Sequence, residues 1–176
     1  MIESHPVVVL ARRSIECYLQ EGRRLPLPAA LPPEMLRKAG VFVSLHCRGE
    51  LRGCIGTIQP VCGSVAEEVI ENAIAAATRD PRFSPVCCHE LADLEIKVDI
   101  LSDLEPVESL ADLDPKLYGL VVQSLREPRR RGLLLPDLEG IDTVEKQVHW
   151  TRYHKAAITD PDEPVQMYRF EVNRYS

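Results

Sequence analysis

Three features of the sequence predict an α+β fold, a largely antiparallel sheet with flanking helices. Two stretches, "GVFVSLHCRGELRGCIGTI" and "LYGLVVQSLREPRRRGLLLP", place strand-like runs on either side of turn-forming residues, as hairpins do. Each hairpin is followed by a helical segment with a capping residue in front of it. Separate alternating runs, "LEIKVDIL" and "QMYRFEVNR", add further strands. The 176 residues suit one domain, or two small lobes sharing a core, and the chain is read as a single domain over 1–176.

The elements follow in order. "PVVVLARRSIECYLQEG" spaces Val8, Leu10, Ala11, Ile15, Tyr18 and Leu19 as one face of a helix that stops at Gly22. "LPLPAALPPEM" carries Pro26, Pro28, Pro32 and Pro33, so it reads as a stiff extended crossing that is too apolar for a free linker. In the first hairpin, with Arg48 to Glu50 as the loop, Cys47 faces Leu51, His46 faces Arg52 and Ser44 faces Cys54. Parity then assigns Val41, Val43, Leu45, Cys47, Leu51 and Ile55 to a core face, and Ser44, His46, Arg52 and Cys54 to the opposite one. "SVAEEVIENAIAAATRD" opens with Ser64 and Glu67 in capping-box spacing and runs as a helix to about Thr78, before Pro81. "LEIKVDIL" puts Leu94, Ile96, Val98 and Ile100 on one face of a half-buried strand. The second hairpin leads to the helix "TVEKQVHWTRYHKA", capped from Asp142 to Glu145, and "QMYRFEVNR" supplies a final strand.

Composition removes several function classes. A formal charge of −6 argues against broad nucleic-acid binding, which needs a basic face. No apolar run approaches a membrane span, and the order of charges around the first apolar run is wrong for a secretory signal, so a cytoplasmic protein is expected. The six cysteines include no Cys-x-x-Cys pair, which points to reduced thiols. "CCHE" at Cys87 to Glu90 lacks zinc-ligand spacing, and neither a metal nor another cofactor is expected.

The chemistry concentrates in "LRGCIGT". Residues two apart on a strand lie about 6.5–7 Å apart, so Arg52 is expected to lean over Cys54 and favour its thiolate. His46 is the candidate base, and Gly53 and Gly56 leave room for a ligand or another backbone. The competing reading makes Cys54 a small core residue and the glycines a bulge or a close contact. In "TRDPRFSP", Asp80 and Arg82 flank Pro81. They read either as a rigid turn anchored by Phe83 or, through Arg82, as an anion clamp at the rim of a site. Arg126, Arg129, Arg130 and Arg131 read as a solvated hairpin tip or a surface for an acidic partner. His149 with Tyr153, and Trp150 with His154, have the i, i+4 spacing of helix packing. The two hairpin–helix units also suggest an internal duplication that aligns Arg131, Gly132 and Leu133 with Arg52, Gly53 and Cys54. On that alignment Leu133 is expected to serve packing and Cys54 its sulfur.

The ordered motifs "GVFVSL…GELRGCIGT", "DPRFSP", "LEIKVDIL" and "RRGLLLPDLEGIDTVEKQV" resemble the AMMECR domain family, from about Pro6 to Val172. The resemblance is closest to the short bacterial and archaeal members called AmmeMemoRadiSam system protein A. It implies an α+β fold in two unequal lobes, and signature positions at Leu51 to Gly56 and Asp80 to Phe83. At Asp137 this chain departs from the family's usual glutamine. The family's activity is not established. Its name implies a modification system with a Memo-like protein and a radical S-adenosylmethionine protein, and this chain has no radical-cluster cysteine motif of its own. The resulting expectation is a component of that system with a cleft floored by Cys54. If it does chemistry, Cys54, Arg52 and His46 are the catalytic candidates. Ser44, Gly53, Gly56, Asp80 and Arg82 are the ligand-binding ones, for a small-molecule or protein substrate. The alternative is a non-catalytic adaptor that presents the same cleft.

Overall fold

The computed structural model describes residues 5–176. They form two compact units, one comprising the chain through Leu101 with Asn173–Ser176, the other Ser102–Val172. Among the described residues no helix is long and apolar enough to cross a membrane.

In the first unit, helix α1 (Pro6–Glu21) ends as the sequence predicts. Gly22 turns left-handed at φ 68° and donates its N–H to the Tyr18 carbonyl. The proline-rich stretch that follows is extended apart from one turn, α2 (Pro33–Leu36), where Pro33 at the first position suits a helix start. Strands β1 (Val41–Cys47), β2 (Glu50–Gly56), β3 (Leu94–Leu101) and β8 (Val172–Tyr175) form a sheet in the order β2-β1-β3-β8. Helix α3 (Val65–Thr78) is capped by Ser64, whose hydroxyl accepts the Glu67 N–H. The Glu67 carboxylate accepts from Gly63 rather than Ser64, so the predicted box is only half formed. The core joins α1 and α3 to the inner sheet face through Ile15, Leu45, Ile70 and Val98. Arg12 fastens α1 to this sheet by donating to the Leu91 and Leu94 carbonyls.

In the second unit, β4 (Glu105–Pro106), β5 (Gly119–Ser124), β6 (Arg131–Leu134) and β7 (Val165–Phe170) form a sheet in the order β4-β7-β5-β6. Leu120, Val122 and Ile158 are central to its core. Helix α4 (Val144–His149) starts at Thr143, which accepts the Lys146 N–H, while Asp142 pairs with the Lys146 ammonium. It continues as a π-helical turn over Trp150–Lys155. The single final strand expected from "QMYRFEVNR" is two strands in different sheets. The ladder breaks at Glu171, whose N–H donates to the Ser102 hydroxyl and whose carbonyl accepts the Ser102 N–H.

Candidate functional site

The first hairpin carries the thiol, and its register differs from the simple alternation in one place. Ser44 faces Cys54 as predicted, but a shift between Leu45 and His46 pairs Gly53 with Leu45 and Leu51 with His46. Arg52 is the extra residue of a bulge, and a bulge re-aims the side chains around it. Leu51 therefore moves out of the core face and is 40% exposed. Arg52 does not lean over Cys54. Its Nε and Nη2 donate to the Glu90 carboxylate at 2.8 and 3.1 Å, and its remaining N–H groups reach the Ser84 and Pro85 carbonyls.

The cation near Cys54 is Arg82. Strand β2 is an edge of its sheet, and an edge leaves backbone groups unpaired. At Cys54 both are met by the loop after α3. The Asp80 Oδ2 accepts the Cys54 N–H at 2.8 Å, and the Arg82 Nη2 donates to the Cys54 carbonyl at 3.1 Å. Asp80, itself buried, also accepts from the Arg82 backbone, Nε and Nη2. The Arg82 hydrogen bonds hold the Asp80 carboxyl well below the usual carboxylate range, despite burial. Phe83 is half-buried with the Arg82 guanidinium 5.3 Å above its ring. The motifs "LRGCIG" and "DPRF" are thus the two halves of one edge closure, and Arg82 is a tie between loop and strand.

The thiol itself sits in a polar row across the outer sheet face, Cys54–Ser44–Lys97. The Cys54 Sγ and Ser44 Oγ are 3.3 Å apart, and Lys97 is exposed. Burial pushes the Cys54 thiol up, and the Ser44 hydrogen bond and the Arg82 charge do not reverse that. This is the opposite sign from the activation expected beside Arg52. His46 stands one row away, between Leu51 and Glu95. Its Nδ1 is buried without a hydrogen-bond partner, and burial and Lys97 lower its pKa.

Neither glycine of the motif opens a ligand space. A Cβ at Gly53 would lie 2.2 Å from the Ala76 carbonyl oxygen of α3, so Gly53 is the place where the helix backbone meets the strand. A Cβ at Gly56 would lie 2.2 Å from the Phe42 ring, which fills that space from the facing strand. Grooves of about 360 and 570 Å³ flank α1, the first lined by Arg12 and Lys97 and the second by Pro28 and Met35, and neither is lined by Cys54.

Glu68 is a residue the sequence reading missed, because within α3 it looks like a solvent-facing charge. It is fully buried and accepts from the Thr57 hydroxyl, the Val61 and Cys62 N–H groups and the Asn72 amide. It pins the loop after β2 and presents Val61 at 78% exposure. The only sequence signal was the position of Glu68 one turn past a polar cap. The arginine-rich tip is largely tied down as well. Arg130 donates to both oxygens of the buried Glu163 at 2.7 and 2.8 Å, and Arg126 pairs with Asp160. Among the described residues no three metal-ligating side chains come together, and all six cysteines are free.

The AMMECR1 family profile matches residues 8–175. The chain belongs to the AMMECR1 family. A Thermotoga maritima protein is 50% identical over 177 residues, covering 99% of both chains. Protein CA_C1420 of Clostridium acetobutylicum is 45% identical over 98% of this chain, which spans 36% of that longer protein. The crystal structure of the uncharacterized protein PH0010 from Pyrococcus horikoshii superposes with a TM-score of 0.84 at 33% identity, covering 96% of this chain and 88% of that one. Within this AMMECR1 domain, two of the motifs that carried the sequence resemblance, "LRGCIG" and "DPRF", meet to close the β2 edge.

Proposed function

We propose that this AMMECR1 domain is a non-catalytic binding component of a modification system. Its partners there are a Memo-like protein and a radical S-adenosylmethionine protein, and it meets a ligand or partner at the outer sheet face around Cys54. One observation carries the choice of binding over thiol catalysis. Arg52, Asp80 and Arg82 are engaged in fixing the loop to β2, leaving Cys54 a half-buried thiol whose pKa is raised. A nucleophilic cysteine needs thiolate, and therefore a cation or base directed at its sulfur. Here the guanidinium of Arg82 reaches the Cys54 carbonyl oxygen. The occurrence of a related sequence within a longer Clostridium acetobutylicum chain supports work beside another protein module. The partners themselves rest on the family resemblance.

Site-resolved iodoacetamide labelling near neutral pH tests this. Cys54 is expected to react more slowly than the exposed Cys87 and Cys88. Capture of either partner protein is expected to survive Cys54→Ser. Faster labelling at Cys54, together with loss of function in Cys54→Ser, would return the assignment to a thiol enzyme.

A further inference from the structure

The segment "HWTRYHK" has the spacing of helix packing, yet three of its four rings face solvent. His149, Trp150 and His154 are exposed, Trp150 at 44%. The backbone explains their grouping. The Thr151 hydroxyl donates to the Gln147 carbonyl at 2.6 Å, and the Ala156 N–H reaches back five residues to the Thr151 carbonyl. In a regular α-helix a residue five positions on is turned by about 140° from the first. The π turn instead brings His149 and His154 to a ring separation of 5.6 Å, with Tyr153 5.0 Å from His149 and Trp150 4.2 Å from His154.

We propose that His149 and His154 form a two-point clasp for a divalent first-row transition cation. Two imidazoles that share one ion at about 2.0–2.1 Å per nitrogen have ring centres about 5 Å apart, which a small rotamer change reaches from the observed separation. Neutral imidazole suits copper, nickel and zinc, with copper(II) the tightest by the Irving–Williams order. Magnesium and calcium, which prefer oxygen donors, are excluded. Two protein ligands leave the other coordination positions to water or to donors of a second protein.

Trp150 reports on this site directly, because it is the single tryptophan of the chain and lies against His154. Titration of the intact protein with Ni²⁺ at neutral pH is expected to quench Trp150 emission saturably, at one ion per chain. His149→Gln and His154→Gln are each expected to weaken the apparent affinity by about tenfold or more, because the second ligand of a chelate acts at high effective concentration. Both histidines are exposed, so an unchanged unfolding midpoint accompanies that loss. His89→Gln, at an exposed histidine in the first unit, is expected to leave the titration unchanged. Quenching that fails to saturate, or that persists equally in the double variant, overturns the clasp. Loss of quenching in His89→Gln would move the site elsewhere.

Discussion

The two hairpins use glycine in the same way and finish their edges differently. In the first, Gly53 lies opposite Leu45 and beneath the Ala76 carbonyl of α3. In the second, Gly132 lies opposite Val122, and a Cβ there would meet the Ala156 nitrogen at 2.2 Å. Both glycines let the helix that follows the hairpin press its backbone onto the strand. Each sheet also has a glycine facing a phenylalanine across the ladder, Gly56 with Phe42 and Gly119 with Phe170. The first hairpin alone has the bulge at Arg52 and the strap of Asp80 and Arg82 across Cys54. The second pairs in even register from Leu120–Leu134 to Gln123–Arg131, and its turn is held by Glu163 through Arg130 and the Ser124 hydroxyl. A buried carboxylate thus steadies each hairpin region by different means. Among the described residues Glu68 takes backbone and side-chain donors without a cation, and Glu163 takes the Nη2 of Arg130 on both of its oxygens. The shared part is packing, and the part peculiar to the first hairpin is edge closure. Leu133 refines the alignment of the two, since it is half-buried like Cys54 and the core position is Leu134.

The largest expected effect tests the shared part. Gly53→Val and Gly132→Val should each destabilise by about 3 kcal/mol, the upper end for overpacking, because the obstacle is backbone that cannot rotate away. Denaturant titration checks both. A tolerated valine at either position would break the equivalence of the two hairpins.

A smaller effect separates them. Asp80→Asn keeps an acceptor for the Cys54 N–H but loses the charge facing Arg82. The cost should be about 1–2 kcal/mol, discounted because Arg82 is 52% exposed on its side chain. The pH dependence has a definite sign. The native carboxyl titrates below its unfolded value, so its contribution is complete above about pH 5 and is lost as pH falls through the depressed native value. Unfolding free energies of the parent and Asp80→Asn should therefore converge in acid. A constant gap down to pH 2 would show that the carboxylate charge is not what closes the edge.

The smallest effect concerns the arginine-rich turn of the second hairpin. Arg126→Ala breaks an ion pair whose side chains are 57% and 47% exposed, and it should change stability by less than about 0.5 kcal/mol. A larger loss in thermal unfolding would mean that the Arg126–Asp160 pair straps this tip in addition to Arg130 and Glu163.

The two hairpins and the helices after them, the inner faces of β1 and β3, the start and stop of α1 and the membership of the AMMECR1 family were legible in the sequence. They depend on periodicity, capping residues and motif order, which act between neighbours along the chain. The neighbours of Cys54 were not legible. Alternation placed Ser44 beside it, but a bulge shifted Arg52 by one position, and no local rule marks where a strand takes up an extra residue. The cation then came from Arg82, 28 residues further along, and the space beside Gly53 and Gly56 went to the Ala76 carbonyl and the Phe42 ring. The sign of the thiol's pKa shift followed, because it depends on the balance between burial and the direction of nearby charge. That balance is set only when separate segments pack together.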